Sequence, residues 1–382
     1  MGLAAVALLL AVLAFSPPTR SKLNSIFAES RGTDRPAVPD SVHAVLSIAV
    51  VGDVMMEGSA LSVIRREGPD YPFAAVRFLL DSADVAIANL EAPFGEGGHT
   101  FPKTFTFRVP PAFAPGLRSA GFDVLTLANN HILDYGPDLL FSTLTLLDTL
   151  KLSRCGAGRH SAEAELPAIV RRAGWTVAVF AYSMTYPEQF WATPKRCGTA
   201  FPKRDSLQKR IAAVRDSVDL VVVCFHWGQE LSNRPHPYQR EFARLSIDAG
   251  ADFVVGHHPH VLQGFELYKG KPIAYSLGNF VFGSNSESCR ESAIVKAFFT
   301  RDGFHHAEVF PISVHNRIVR YQPRILEGEG RKRTIGFLNA ISRPLNSGRN
   351  LLSESGVLMP EEGAHDGSAL HAQADSARTG NQ

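Results

Sequence analysis

The segment Gly256-His257-His258-Pro259-His260 holds three imidazoles within four residues. Core packing rarely calls for so many, and the proline narrows the backbone choices between them. Histidine is the commonest metal ligand, through a neutral ring nitrogen, and a proton carrier near neutral pH. The segment therefore points to a metal or catalytic site. Four other places repeat one pattern, a polar group directly after an apolar run. LSIAVV ends in Gly52-Asp53, DVAIA in Asn89-Leu90-Glu91, FDVLTLA in Asn129-Asn130-His131 and LVVVCF in His226-Trp227-Gly228. Taken singly, each has an ordinary explanation as a turn, a cap or a hydrogen-bonded buried side chain. Together they supply two carboxylates, an amide and several imidazoles, a donor set suited to divalent Mn, Fe or Zn. That is more than one tetrahedral ion needs, so one or two ions per chain are expected. A pair of ions clamps the attacking and leaving oxygens of a displacement and lowers the pKa of bound water.

Such residues need a scaffold that gathers strand ends. The runs LSIAVVG, DVAIANL, FDVLTLANN, WTVAVFAY, VDLVVVCFHWG and ADFVVGHH are continuous and apolar, as strands buried on both faces are. Helical stretches are expected between them at 73–81, 112–120, 138–150 and 238–249, the last stopped by Gly250. Strand alternating with helix predicts an α/β fold with central parallel strands, whose sites form beyond the strands' C-terminal ends. KPIAYSLGNFVF, SAIVKAFFT and HHAEVFPISVHN leave little room for helices and read as antiparallel strands finishing a second sheet. Three regions follow: residues 1–40 as a leader or anchor with its linker, 41–326 as the folded domain, and 327–382 as a disordered tail rich in Gly, Ser, Ala and charge.

The motifs GDVMM, NLEAPF, LANNHILDYG, HWGQEL, GHHPHVLQG and YSLGNFVF, in this order across about residues 46 to 285, resemble those of CapA-type capsule (poly-γ-glutamate) synthesis proteins. That family belongs to the metallo-dependent phosphatase-like superfamily. The resemblance implies a four-layer α/β/β/α sandwich. It implies Asp53 as a ligand of a first metal, Glu91 as the bridging carboxylate and Asn130 as the amide ligand of a second metal. His226, His258 and His260 match the later histidine ligands, with His260 nearer the first metal. His131 matches the histidine that protonates a leaving oxygen or stabilises its charge. The phosphatase pattern begins Asp-x-His, and Met55 stands at that third position. A thioether is a poor ligand for hard divalent ions, so the first site lacks one donor.

Other motif residues carry two readings each. Asn279 can hydrogen-bond into the site or shape the turn after its strand. Glu230 can support a histidine, cap a helix or sit in solvent. Lys103 and Arg108 can meet an anionic substrate or belong to a solvated loop. Asn89 and Asn129 read as loop supports, Trp227 as packing, and His257 as pointing away from its neighbours or supporting them.

The whole chain has 382 residues and a net charge of +2, which gives no basic excess for a nucleic-acid surface. Its opening MGLAAVALLLAVLAF is uncharged and apolar but shorter than the roughly 20 residues of a comfortable membrane span. It reads as a signal or anchor segment, implying an extracytoplasmic, envelope-associated protein. Cys155, Cys197, Cys224 and Cys289 lack C-x-x-C spacing, which argues against a zinc ribbon. Cys224 reads as a buried strand residue, and Cys155 with Cys197 as a pair that export would permit. Two functions fit. One is a metal-dependent hydrolase cleaving a phosphoester or an amide, with an anionic polymer such as poly-γ-glutamate as partner. The other is a non-catalytic polymer-binding or scaffold subunit of a membrane synthesis and export complex. No P-loop occurs, so ATP-driven synthesis would need a partner.

Overall fold

The computed structural model describes residues 44–360. The leader and linker expected at 1–40, and residues 361–382 of the expected tail, lie outside the described residues. Two sheets face each other. The first contains β1 (Val45–Met55), β2 (Val85–Leu90), β3 (Val124–Thr126) and β4 (Ser153–Cys155), all parallel. A two-stranded ribbon pairs β5 (Ala157–Gly158) with β8 (Gly198–Thr199). The second sheet contains β6 (Ala168–Arg172), β7 (Trp175–Ser183), β9 (Leu220–His226), β10 (Phe253–His257), β11 (Phe265–Tyr268) and β12 (Lys271–Ala274). Its core, β7-β9-β10-β12, is parallel.

Helices α1 (Leu61–Glu67), α2 (Arg77–Asp81), α3 (Ala114–Ser119) and α4 (Pro137–Thr149) bury Ile64, Leu80, Leu117 and Leu144 against the outer face of the first sheet. Helices α5 (Arg204–Arg215) and α6 (Pro237–Asp248) do the same on the second sheet with Leu207, Ile211, Phe242 and Ile247. Between the sheets lies a third core that includes Ile48, Val50, Val179, Val222 and Val255. The architecture is thus the four-layer α/β/β/α sandwich. Among the described residues no helix is long and apolar enough to cross a membrane.

Three expectations need correction. β14 (Glu291–Thr300) and β15 (Gly303–Ser313) are antiparallel as expected, but they extend the first sheet: β14 pairs with Val45–Val50 of β1. Strand β1 is 11 residues long, and its second half takes β13 (Asn279–Phe282) as a parallel partner instead. The short β16 (Arg324–Ile325) pairs with β15 in the same sheet. Residues 327–360 are not a disordered tail. They form α7 (Gly328–Ser342), which sends Ile335 and Leu338 into the inter-sheet core, and further chain including β17 (Val357–Leu358), which pairs with β15. Cys155 and Cys197 are both free, because Cys155 faces the inter-sheet core and Cys197 the helix-side core of the first sheet. Cys224 is buried in β9, as read.

Two glycines hold the sheet ends close. A Cβ on Gly52 would lie 1.9 Å from the Gly278 carbonyl oxygen, and one on Gly256 1.9 Å from that of Tyr275. Both contacts are backbone, which cannot swing aside. Gly52→Ala is expected to cost about 3 kcal/mol by forced separation of β1 and β13. Urea unfolding would read this, and an unchanged midpoint would refute the close approach.

Candidate metal centre

Parallel strands that end together bring side chains distant in sequence to one edge. Asp53 lies in β1 at an irregularity of register with both neighbours, which bends the strand there. Asn89 is its register partner in β2, and Glu91 follows that strand. The loop after β3 carries Asn129, Asn130 and His131. His226 ends β9, and His258 and His260 follow β10. His258 and His260 have φ values of +96° and +60°, uncommon for histidine and a sign that the loop is held in shape by its surroundings.

The ligand atoms converge. Glu91 Oε1 lies 3.4 Å from His226 Nε2 and 3.8 Å from His260 Nε2. His260 Nδ1 is 3.4 Å from Asp53 Oδ2. His226 Nε2 is 2.8 Å from Asn130 Oδ1. The His226 and His258 rings have centroids 4.7 Å apart. Two groups could each hold an ion, Asp53–Glu91–His226 and Glu91–His258–His260, and Glu91 belongs to both. Glu91 Oε1 and His258 Nδ1 are fully buried without a hydrogen-bond partner among the described residues. An unpaired buried polar atom is costly unless something else satisfies it. Two donors about 2.1 Å from one tetrahedral ion stand about 3.4 Å apart, close to the spacings around Glu91 Oε1. The residues therefore fit a divalent metal.

The electrostatics agree. Burial and the Asp53 charge push the Glu91 pKa well above the usual carboxylate range. Burial opposes the Asp53 charge too, but the contact with His260 and the neighbouring His257 hold Asp53 below that range. Burial pushes His258 down to about 3 and, with the surrounding imidazoles, His226 well below its ordinary value. Both are thus neutral, the form that binds metal. Burial also disfavours the His260 cation, yet Asp53 more than offsets this and raises its pKa.

Beside this cluster stands a second constellation. His131 Nδ1 is 2.7 Å from Asp134 Oδ2, and the ring packs against Phe107 at 4.7 Å between centroids. Lys103 Nζ is 2.5 Å from Asp134 Oδ1 and donates to the Asn130 carbonyl at 2.5 Å. Burial lowers the pKa of His131 despite the Asp134 carboxylate.

The structure brings together the six residues expected as ligands, Asp53, Glu91, Asn130, His226, His258 and His260, with His131 beside them as an electrostatic neighbour of His226 and His258. Met55 sits at the missing-histidine position, buried in the helix-side core. Asn279 hydrogen-bonds into the site, 2.9 Å from His260 Nδ1. His257 turns away, its Nε2 3.1 Å from the Val51 carbonyl oxygen. Trp227 is buried packing, with its indole N–H donating to Tyr275 O at 3.0 Å. Glu230 is exposed. Lys103 stems from an exposed loop, but its side chain turns inward and is largely buried against Asp134. Arg108, in contrast, lies over the Tyr135 ring at 4.6 Å and donates to the Gly97 carbonyl near the surface. Asp134 escaped the sequence reading. Its signal was its place three residues after His131, which puts both side chains on one turn.

The chain matches the family model described as "Bacterial capsule synthesis protein PGA_cap" over residues 47–284. It is 34% identical over 277 residues to the "Capsule biosynthesis protein CapA" of Bacillus anthracis, covering 70% of this chain and 67% of that one. It is 33% identical over 285 residues to the "PGA biosynthesis protein CapA" of Bacillus subtilis (strain 168), covering 74% and 75%. A 5'-nucleotidase precursor from Thermus thermophilus is a similar solved structure, at 13% identity and a TM-score of 0.44, over 74% of this chain and 54% of that one. The Haemophilus influenzae NAD nucleotidase is another, at 14% identity and a TM-score of 0.40, over 78% and 56%. This chain spans little more than half the length of either. From the match across most of the folded part and the identity to the two Bacillus proteins, the chain belongs to the CapA family of bacterial capsule synthesis proteins.

Proposed function

We propose that this chain is an extracytoplasmic, divalent-metal-dependent hydrolase that serves capsule synthesis, cleaving a phosphoester or an amide of an anionic polymer such as poly-γ-glutamate. The observation that carries the reading is the pairing of two constellations at one sheet edge. One is a buried cluster with ligand atoms left unpaired, Glu91 Oε1 and His258 Nδ1. The other is a histidine backed by a carboxylate, His131 with Asp134. A scaffold or tether has no use for the second. The capsule role is supported by the names of the Bacillus relatives. The location is supported by the apolar opening of the chain.

In this reading Asp53, Glu91, His226, His258, His260 and Asn130 hold one or two ions of Mn, Fe or Zn. A bound divalent ion supplies Lewis acidity and lowers the pKa of water. The remaining chemistry falls to the chain's own groups. Asp134 accepts from His131 Nδ1 at 2.7 Å and so holds the ring, with Lys103 Nζ 3.1 Å from the same nitrogen. Nε2 is left as the atom through which His131 moves a proton to or from the reacting oxygen. Lys103 bridges Asp134 and the Asn130 carbonyl, which locks the loop carrying His131.

The test is metal content and hydrolysis measured on one sample. The purified chain is expected to hold one to two transition-metal ions by elemental analysis. With added manganese it is expected to turn over an aryl phosphodiester, an aryl phosphomonoester or poly-γ-glutamate. Metal without turnover on any of the three, together with retained polymer binding, would replace the hydrolase with a binding subunit.

A further inference from the structure

Asn89 is buried at the centre of the ligand cluster. Its amide orientation follows from backbone groups whose roles are fixed. The backbone N–H groups of His131 and Ile132 donate to Asn129 Oδ1 at 3.1 and 3.0 Å. Asn129 Nδ2 must then face the other way. It donates to the Leu90 carbonyl at 2.7 Å and to Asn89 Oδ1 at 3.1 Å. Thr126 Oγ1 also donates to Asn89 Oδ1, at 3.4 Å. Asn89 Nδ2 therefore points into the cluster. It donates to Asp53 Oδ1 at 2.8 Å and to Glu91 Oε2 at 3.4 Å, and lies 3.3 Å from His226 Nδ1.

A neutral donor thus occupies a position that touches both carboxylates. An aspartate there would have the same shape and one more negative charge. With Asn89 in place, the ligand set carries only the charges of Asp53 and Glu91, since the other donors are imidazoles and an amide. Two carboxylates balance one divalent ion. A second ion a few ångströms away in a buried site brings two positive charges that no further buried ligand offsets; the nearest extra carboxylate, Glu230, acts on Glu91 and His260 only from an exposed, solvent-screened position. An anionic group entering with the substrate would supply the missing charge.

We propose that Asn89 limits this cluster to two carboxylates, so that a second divalent ion is retained only together with an anionic group such as a phosphoryl or carboxylate of the substrate. The inference rests on the metal-centre reading above and adds to it what decides occupancy. Asn89 acts through Asp53 and Glu91 and is a positioning residue.

The test is Mn2+ titration calorimetry on the full chain, without and with inorganic phosphate as the anionic probe. The wild type is expected to take up close to one ion alone and close to two with phosphate. Asn89→Asp is expected to take up close to two without phosphate, with the second ion bound about tenfold tighter or more. Asn89→Ser, which removes the amide but adds no charge, is expected to keep the wild-type dependence on phosphate. Thermal melts show whether each variant folds. Without metal, Asn89→Asp should melt below wild type, because three carboxylates then repel. With Mn2+ it should gain more in Tm than wild type gains. Two tightly bound ions in wild type without phosphate would overturn the proposal. So would a folded Asn89→Asp with wild-type stoichiometry. No Mn2+ binding by wild type under either condition would instead sink the metal centre itself, which separates the two failures.

Discussion

Glu91→Gln is expected to lower divalent-ion affinity more than any other single change at this sheet edge. Glu91 belongs to both candidate ligand groups, whereas Asp53, His226, His258 and His260 each belong to one. Glutamine keeps the length and shape of the arm but removes its charge. Loss of residues that merely support ligands costs roughly 10–100-fold in affinity, so a shared carboxylate should cost about 100-fold or more. Titration with Mn2+ reads this directly, and an affinity within a few-fold of wild type would remove Glu91 from the site. The metal-free protein gives an independent check. Its Glu91 is buried, with a pKa raised well above the ordinary value of 4.5. A carboxyl whose folded pKa is raised stabilises the fold below its unfolded pKa, and that contribution is lost as pH rises through the folded value. Metal-free wild type should therefore lose stability relative to Glu91→Gln as pH rises above about 4.5, and added Mn2+ should reverse the order. Parallel pH courses in urea unfolding would show that Glu91 carries no such burden.

The ligand cluster was legible because parallel strands obey a simple rule. Each apolar run ends where its chain leaves the sheet, and sites gather at those ends. Asp53, Glu91, His226, His258 and His260 all follow such runs, so their meeting could be read from where the runs stop. Lys103 could not be read this way. It lies 28 residues before His131, on a loop with no periodicity, and reaches Asp134 only because that loop folds back. That path is fixed by contacts invisible in sequence, such as Phe101 N–H donating to the Asp134 carbonyl at 2.7 Å. The helix Gly328–Ser342 was hidden for another reason. Its buried face includes Thr334, Asn339 and Ser342, polar residues that hydropathy assigns to solvent. Each is satisfied internally: Asn339, for example, accepts from the backbone N–H of Leu352 at 2.9 Å and donates to its carbonyl at 2.8 Å. The placement of β14 beside β1 was likewise beyond the pattern, since alternation gives a strand's faces but not its neighbour.

His131→Ala is expected to leave metal content unchanged and to reduce hydrolysis by about 10²–10⁴-fold, the usual scale for a positioned proton carrier. The two halves of this prediction have separate causes. His131 lies outside both ligand groups, and its Nδ1 is occupied by Asp134 at 2.7 Å. Removing the ring therefore takes no ligand from the cluster. It does remove the Nε2 through which a proton would reach the reacting oxygen. Asp134→Asn should mimic part of this loss. An asparagine can present its amide N–H to Nδ1, which favours the other tautomer and leaves the proton on Nε2, while the Lys103 ammonium loses its ion pair. Elemental analysis and turnover on the same preparations separate the possibilities. Loss of metal in His131→Ala would make the histidine a ligand. Full turnover with metal retained would make it a bystander, and Asp134→Asn would then be silent as well. If both variants keep their metal and lose turnover, with Asp134→Asn the milder, the proton path runs through this pair. The cluster around Glu91 is then left with the single task of holding the ion.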